Sequence, residues 1–231
     1  RGETVGAQLT GDDRVRGVMF TGSTEVATLL QRNIASRLDA QGRPIPLIAE
    51  TGGMNAMIVD SSALTEQVVV DVLASAFDSA GQRCSALRVL CLQDEIADHT
   101  LKMLRGAMAE CRMGNPGRLA TDIGPVIDSE AKANIERHIQ TMRSKGRPVF
   151  QAVRENSEDA REWQSGTFVA PTLIELDDFA ELQKEVFGPV LHVVRYNRNQ
   201  LPELIEQINA SGYGLTLGVH TRIDETIAQV T

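Results

Sequence analysis

The sequence lacks the features that mark membrane, secreted or nucleic-acid-binding proteins. Its longest apolar runs, such as residues 68–73 and 191–194, are far too short to span a bilayer. Residues 1–9 lack the apolar core of a signal peptide. The formal net charge of −8 argues against a surface for phosphate backbones, which needs clustered Lys and Arg. We therefore expect no membrane or nucleic-acid contact by this segment.

Cysteine and histidine are also sparse. The three cysteines, Cys84, Cys91 and Cys111, form no CxxC pair, so neither a disulfide framework nor a zinc site is predicted. This cysteine usage indicates a reducing, cytoplasmic compartment. The histidines are scattered singly, and each is interpreted as a surface or lightly packed residue with no metal to bind: His99, His138, His192 and His220.

What is present is an ordinary globular composition, 42% hydrophobic and 23% charged, with strands and helices predicted in alternation. This alternation is typical of an α/β fold. Strands are predicted at residues 17–21, 46–49, 56–59, 87–92, 148–153, 188–196 and 215–219. A helical spacing of apolar residues runs from 26 to 38, and further helices are predicted at residues 66–79, 95–109, 130–145, 200–210 and 223–231. The polar residues 155–164 are interpreted as a solvated surface insertion, and a domain boundary is predicted near residues 43–48.

Both ends of the sequence suggest a piece of a longer chain. Residue 1 is not an initiator methionine. Residues 223–231 form an amphipathic helical pattern that stops without a cap or breaker. We therefore interpret the chain as a fragment.

Cys84 lies between a predicted helix and a predicted buried strand, in the segment Gly81-Gln82-Arg83-Cys84-Ser85. Loops held by rigid elements commonly carry nucleophiles, and Arg83 would favour the thiolate that attacks carbonyls. On position alone, a small buried apolar side chain is an equally good interpretation. Cys91 lies in an apolar run and is predicted to be core, and Cys111 is predicted to pack at a helix end.

Glu50 ends a predicted strand directly before a glycine turn. A carboxylate there can project into a cleft, where partial burial would bring its pKa toward the range of a general base. The default for any single glutamate is a surface carboxylate, and alone Glu50 does not depart from it.

Two further segments have features of a dinucleotide site. Gly22-Ser23-Thr24 follows a strand and opens a helix, where backbone N–H groups attract anions, although Ser and Thr often begin helices simply as caps. Glu185 stands before a strand with Phe187 two residues on. These two could bind ribose hydroxyls and pack on the sugar, or form an ordinary turn with one core Phe.

Taken in order, five segments resemble the signature blocks of the aldehyde dehydrogenase superfamily: residues 20–26, 50–53, 81–84, 185–189 and 209–215. Residues 48–90 are more specifically similar to the glutamate-semialdehyde (1-pyrroline-5-carboxylate) dehydrogenase domain of the bacterial bifunctional proline utilisation A enzymes. The resemblance covers essentially the whole chain.

The resemblance implies a reaction and the residues that carry it. Cys84 matches the family's nucleophile, Glu50 its water-activating base, and Ser85 a position that holds the substrate carboxylate. The implied activity is NAD-dependent oxidation of L-glutamate 5-semialdehyde to L-glutamate in proline catabolism, through a thiohemiacetal and a thioester on the cysteine.

Cofactor contacts follow from the same resemblance. Gly22 and Ser23 match the diphosphate-binding turn, and Glu185 and Phe187 match the contacts to the nicotinamide ribose. NAD is the implied cofactor, and no metal is implied. The family often has glycine where Ala27 stands, and a methyl group there is compatible with a helix.

The implied fold is the end of a Rossmann-type nucleotide-binding domain at 1–47 and an α/β catalytic domain at 48–231, truncated at its C-terminal end. The implied partner, besides the small aldehyde substrate, is an FAD-dependent proline dehydrogenase domain in the same parent chain, and the parent is expected to be a homo-oligomer. In this family the oxyanion-hole amide lies upstream, so the fragment alone is predicted to be inactive.

Four other functions are possible alternatives to this one. A cysteine hydrolase would need a histidine partner for Cys84, and no histidine motif suggests one. A non-catalytic nucleotide-binding module would have no need for both Glu50 and Cys84. A dehydrogenase that transfers the acyl group to coenzyme A, or one for another aldehyde, is the nearer alternative, and a water-activating Glu50 argues against the former.

Overall fold

The computed structural model describes residues 2–152 and 166–231. The chain divides into two compact units, Arg1–Gly52 and Gly53–Thr231. The division lies a few residues after residue 47 because Leu47–Glu50 pairs as a strand within the first unit. The assignment of nucleotide-binding and catalytic roles to the two parts stays a prediction. None of the helices in the described ranges has the length and apolar character needed to cross a bilayer.

The first unit, over its described residues 2–52, contains a two-stranded parallel sheet. Its strands are β1 (Val18–Thr21) and β2 (Leu47–Glu50), and its helices are a short π-helix (Gly2–Gly6), α1 (Ala7–Gly11) and α2 (Thr24–Ile34). Thr21 pairs with Glu50, so both strands end at the same edge of the sheet. The chain therefore enters α2 beside the residue that ends β2.

The second unit is built on one mixed sheet, which has six strands among the described residues. The strands are β3 (Ala56–Val59), β4 (Val89–Gln93), β5 (Val149–Gln151), β6 (Thr172–Leu176), β7 (Val190–Tyr196) and β8 (Leu217–His220). Their order is β5-β6-β7-β4-β3-β8, and every neighbouring pair is parallel except β5 with β6. The helices are α3 (Thr65–Phe77), α4 (Asp94–Glu110), α5 (Ser129–Ser144), α6 (Leu201–Ala210) and α7 (Asp224–Val230).

The core of the second unit lies on the central strands. Every residue of β3 and β4 is buried, which explains why both read as continuous apolar runs rather than alternating ones. Helix α3 adds Val68 and Val72, which are fully buried against this sheet. Fully burying such side chains contributes about 1.5–3 kcal/mol each. This core fixes the strand ends at which the segments that carry Cys84 and Glu185 enter the sheet.

Most predicted elements of the second unit recur in the structure with ends shifted by one or two residues. Strand β6 is not predicted from the sequence, because Glu175 and the preceding Pro171 obscure its short apolar pattern. The helix predicted at 66–79 ends at Phe77 and continues as a 3₁₀ turn. Val153 and the polar residues 155–164 lie outside the described residues.

Candidate active site

Several of the predicted site residues of the second unit lie before parallel strands rather than after them. Cys84 lies in the loop that enters β4, and Glu185 lies in the segment that enters β7. Val89 pairs with His192, so β4 and β7 are neighbours and their entry segments lie side by side. The structure therefore brings the predicted nucleophile and the predicted ribose ligand to the same edge of the sheet, at the amino ends of its strands.

A left-handed turn directs the chain into the Cys84 loop. Ser79, Ala80 and Gly81 all have positive φ angles, of 57°, 54° and 66°. Only glycine adopts this region without a steric cost, which is roughly 1–2 kcal/mol for other residues. Two consecutive non-glycine residues in this region are uncommon, and such strain is typical of functional sites. The turn reverses the chain between α3 and the loop.

Gly81 permits a close approach of two backbone segments. A Cβ atom built there would lie 2.1 Å from the carbonyl oxygen of Gly188, far inside van der Waals contact. We expect Gly81→Ala to lower the free energy of unfolding by about 2 kcal/mol or more, from overpacking and the left-handed backbone together. Urea denaturation measures this change.

Gly106 provides the matched control for this substitution. It lies within α4, and nothing is found within 4 Å of a Cβ atom built there. Gly106→Ala should be neutral or stabilising by up to about 1 kcal/mol. Equal stability of the two variants would contradict the close approach at Gly81.

Arg88 joins the loop before β4 to the segment before β7. Its side chain is 1% exposed, and its Nη2 atom lies 2.8 Å from Glu185 Oε1. Nη1 donates to the carbonyl oxygen of Gly81 at 2.7 Å, and Nη2 donates to that of Arg83 at 3.0 Å. The guanidinium thus binds both the loop segment that precedes Cys84 and the predicted ribose ligand Glu185.

Asn55 holds the other side of the same loop. It is 3% exposed, and its Nδ2 atom donates to the carbonyl oxygens of Cys84 at 2.7 Å and Ala86 at 2.8 Å. Its Oδ1 atom accepts the backbone N–H of Thr216 at 3.2 Å. Both ends of the Asn55 amide are therefore hydrogen-bonded, and the amide holds the backbone of the predicted nucleophile in place.

The three thiols differ in their surroundings. Cys84 is exposed, as is Ser85 beside it, so the interpretation of Cys84 as a small buried side chain is wrong. Cys91 is fully buried in β4, and this burial raises the pKa of its thiol to about 12. Cys111 caps α4 and packs partly against the core, its Sγ donating to the carbonyl oxygen of Ala107. Exposure therefore singles out Cys84 among them.

Phe187 is exposed rather than a core residue. Its ring is 43% exposed, and its centroid lies 5.2 Å from Cζ of Arg88. Glu185, by contrast, has a side chain only 12% exposed. A mostly buried carboxylate beside an exposed ring suits a sugar, whose hydroxyls donate to the acid and whose faces pack on the ring.

In the first unit, Glu50 and the Gly22–Ser23 turn are close to one another. The backbone N–H of Gly22 donates to the carbonyl oxygen of Glu50 at 3.1 Å. Glu50 has an exposed side chain at the end of β2. Ser23 is the N-cap of α2, and its Oγ atom accepts the N–H of Val26 at 3.2 Å. The capping interpretation of Ser23 is therefore confirmed, and a role toward a diphosphate stays a prediction.

The family model described as the aldehyde dehydrogenase family matches residues 1–231. The chain belongs to the aldehyde dehydrogenase family. The match spans both units, so the candidate residues of each unit lie in a part of the chain that the family shares. The aldehyde dehydrogenase-like α/β fold predicted from the sequence is confirmed by the solved structures that it resembles.

Among the similar proteins is the bifunctional protein PutA of Salmonella typhimurium, which is 93% identical over 231 residues. The alignment covers 100% of this chain and 18% of that protein. A crystal structure of bifunctional proline utilization A (PutA) protein matches with a TM-score of 0.89 and 47% identity, covering 99% of this chain and 22% of that one. A 1-pyrroline-5-carboxylate dehydrogenase from Thermus, solved with bound NAD, matches with a TM-score of 0.84 and 32% identity, covering 99% and 43%.

The aldehyde dehydrogenase chain contains one histidine that sequence reasoning misplaced. His192 lies in β7 and is 1% exposed, so the expectation of a surface or lightly packed residue is wrong for it. Its Nδ1 donates to the carbonyl oxygen of Arg88, and its Nε2 lies 2.9 Å from His138 Nε2, which therefore donates to it. Burial lowers the pKa of His192 to about 3, and His138 and the Arg88 charge add to the effect. His192 thus stays neutral and supports the backbone at Arg88.

Arg88 and Asn55 are the residues of this aldehyde dehydrogenase site that sequence reasoning did not single out. A signal for Arg88 exists, since an arginine between Leu87 and Val89 in a buried run must find partners for its charge. Asn55 carries a similar signal, because it interrupts the apolar approach to β3. Among the described residues, no cluster of three or more His, Cys, Asp or Glu side chains is arranged to bind a metal.

Proposed function

We propose that this chain is the glutamate-semialdehyde dehydrogenase part of a longer bifunctional protein. In this proposal it oxidises L-glutamate 5-semialdehyde, formed from 1-pyrroline-5-carboxylate, to L-glutamate with NAD. The observation that carries the proposal is the 93% identity to a bifunctional PutA over the whole of this chain. The likeness to a 1-pyrroline-5-carboxylate dehydrogenase with bound NAD supports the same substrate and cofactor.

The first step uses the exposed thiol of Cys84. As a thiolate its sulfur adds to the aldehyde carbon, and the carbonyl oxygen becomes an oxyanion in a thiohemiacetal. The backbone N–H of Cys84 is a donor for that oxyanion, and Asn55 keeps this backbone in place by binding the Cys84 carbonyl oxygen. An amide from elsewhere in the longer chain is expected to complete the oxyanion hole.

Oxidation leaves a thioester on Cys84, which water must hydrolyse. Glu50 is the proposed base: its carboxylate takes a proton from water, and the resulting hydroxide attacks the thioester carbon. The sulfur leaves as thiolate and the acid is released, so atoms and charge balance. The exposure of Glu50 at a strand end is consistent with access to solvent water.

The residues present fit a dinucleotide. The mostly buried carboxylate of Glu185 and the exposed ring of Phe187 suit the nicotinamide ribose. The Gly22–Ser23 turn at the N-terminus of α2 suits a diphosphate, because the helix dipole attracts anions at this end of the helix. When bound, NAD supplies the hydride acceptor. Ser85, exposed beside Cys84, is the proposed ligand of the substrate carboxylate.

We expect Glu185→Gln to slow the first burst of NADH about 10–100-fold. Gln keeps an oxygen for Arg88 but loses the charge that binds the ribose, and such a charge-assisted bond contributes about 1.5–3 kcal/mol. The affinity for NAD should change less, since this contact is one of many. Stopped-flow absorbance with the full-length protein measures the burst.

Glu175→Gln is the matched control for that variant. Glu175 has a side chain 17% exposed and also pairs with arginine, Arg195, at 3.2 Å. It lies in β6 and should leave the burst unchanged. If Glu185→Gln also left the burst unchanged, Glu185 would be an ordinary turn residue.

The word bifunctional in the relatives' name supports a second activity in the same longer chain. That this activity belongs to an FAD-dependent proline dehydrogenase domain stays a prediction. Assembly into a homo-oligomer and a cytoplasmic location stay predictions. The nearest rival function is transfer of the acyl group to coenzyme A.

The proposal is tested by assaying the full-length protein with glutamate semialdehyde and NAD in the absence of coenzyme A. Steady NADH formation with glutamate as the product is expected. A strict requirement for coenzyme A would favour the acylating alternative. Activity only with other aldehydes would show that the assignment of glutamate semialdehyde as the substrate is wrong.

A further inference from the structure

We propose that Arg88 is a positioning residue for hydride transfer, which holds Glu185 at a fixed spacing from the Cys84 loop. The inference rests on the proposed function, because it assigns Arg88 a task between two residues of that site. Arg88 itself touches neither the aldehyde nor the cofactor in this scheme. Its effect passes through the side chain and the loop that it binds.

Arg88 binds Glu185 in a way that fixes one carboxylate oxygen. Nε donates to Glu185 Oε1 at 3.0 Å, and Nη2 donates to the same atom at 2.8 Å. The guanidinium also lies 5.2 Å from the ring centroid of Phe187, within the range of a cation–π contact. One cation therefore orients both of the residues proposed to hold the ribose.

The other side of the guanidinium binds the loop of the nucleophile. Nη1 donates to the carbonyl oxygens of Gly81 at 2.7 Å and Gly188 at 3.3 Å, and Nη2 donates to that of Arg83 at 3.0 Å. Arg83 directly precedes Cys84 in the chain. The position of the loop and the position of Glu185 are thus set by the same rigid group.

The geometry matches the donors of arginine and of no other side chain. A guanidinium has five N–H donors in a planar fork, and five hydrogen bonds are made here. Burial lowers the pKa of Arg88, while the charge and hydrogen bonds of Glu185 act in the opposite direction. A buried cation at 1% exposure is tolerated because every donor is bonded. Lysine has three donors and no fork, so it cannot reproduce the arrangement.

The backbone of Arg88 is itself fixed. Its N–H donates to the carbonyl oxygen of Asn55 at 3.0 Å, and its carbonyl oxygen accepts the N–H of His192 at 2.9 Å. These bonds belong to the strand pairing on both sides of β4. The side chain therefore extends from a rigid base, as a positioning residue requires.

The test uses Arg88→Lys in the full-length protein with NAD and glutamate semialdehyde. We expect the NADH burst to fall about 10–100-fold, because a displacement of about 1 Å at a reacting pair has effects of this size. The affinity for NAD, measured separately by calorimetric titration, should change less than about threefold. Arg195→Lys is the matched control, since Arg195 also pairs with a mostly buried glutamate but in β7, and its burst should equal that of the wild type.

A double-mutant cycle separates positioning from a general structural effect. In a Glu185→Gln background, Arg88→Lys should slow the burst clearly less than it does alone, because its main target has already been altered. Glu185→Asp is the second variant and leaves Arg88 untouched. Aspartate keeps the charge, but its side chain is one methylene shorter and no longer reaches Arg88. We therefore expect the NADH burst to slow about as much as in Glu185→Gln.

The outcomes distinguish this inference from the proposed function. If the wild type gives no Cys84-dependent burst, the proposed function fails. If that burst is present but Arg88→Lys leaves it unchanged, or slows it equally in both backgrounds, or weakens NAD binding in parallel, the positioning role is overturned. If Arg88→Lys does not fold, a wild-type burst in Glu185→Asp overturns it, and a slowed burst with NAD affinity retained supports it.

Discussion

Cys84→Ala is expected to reduce NADH formation from glutamate semialdehyde by roughly 10⁴-fold or more, while the affinity for NAD stays within about twofold. Removing the nucleophile of a covalent mechanism abolishes the intermediate itself, and losses of this order are usual. The thiol contributes little to holding a dinucleotide that is bound through its sugars and diphosphate. Steady-state absorbance and calorimetric titration of the full-length protein measure the two quantities.

Cys111→Ser is the control for the loss of a thiol. Its hydroxyl can still donate to the carbonyl oxygen of Ala107, and the residue, at the end of α4, has no proposed role in the reaction. We expect its activity to equal that of the wild type. Near-normal turnover by Cys84→Ala would exclude Cys84 as the nucleophile, whatever the behaviour of the control.

Glu50→Gln should separate the two halves of the reaction. Gln has nearly the same shape but cannot take a proton from water, so thioester hydrolysis should slow by roughly 10²–10⁴-fold. Hydride transfer precedes this step, and about one equivalent of NADH per site should still form rapidly. Added hydroxylamine should restore turnover, because a stronger nucleophile attacks the thioester without help from a base.

Glu66→Gln removes the same charge from the first turn of α3 and should leave both phases unchanged. A different result with Glu50→Gln would overturn its assignment. If the burst disappeared together with steady turnover, Glu50 would act before the thioester forms. A normal steady state would make it a surface carboxylate.

The fold of the central sheet could be predicted from the sequence because most residues of its central strands are apolar. The runs that form β3, β4 and β7 are bounded by turn residues, and burial on both faces explains why they do not alternate. Strand β6 could not be found in this way. Its pairing with β7 determines it, because a five-residue strand that follows Pro171 and contains Glu175 has no clear apolar pattern of its own.

The candidate site was predictable only as an ordered set of segments. Cys84 alone could equally have been core, and its exposure is decided by a loop whose supports come from distant parts of the chain. Arg88 binds Glu185 and Gly188, which lie 97 and 100 positions away in the sequence, so no local pattern indicates these contacts. The positive φ angles of Ser79 and Ala80 could not be predicted, because neither residue is a glycine.

The unequal surroundings of the three cysteines have a practical consequence for chemical probes. An alkylating reagent meets Cys84 in solvent, meets Cys111 only partly exposed and held by a hydrogen bond, and cannot reach Cys91 inside the sheet. Alkylation requires the thiolate form of a cysteine. Burial raises the pKa of the Cys91 thiol to about 12, so Cys91 stays protonated at neutral pH. A brief pulse of a bulky maleimide should therefore mark one position of this segment without any cysteine being removed. Because the label then occupies the sulfur proposed to add to the aldehyde, the same pulse should also abolish NADH formation in the full-length protein.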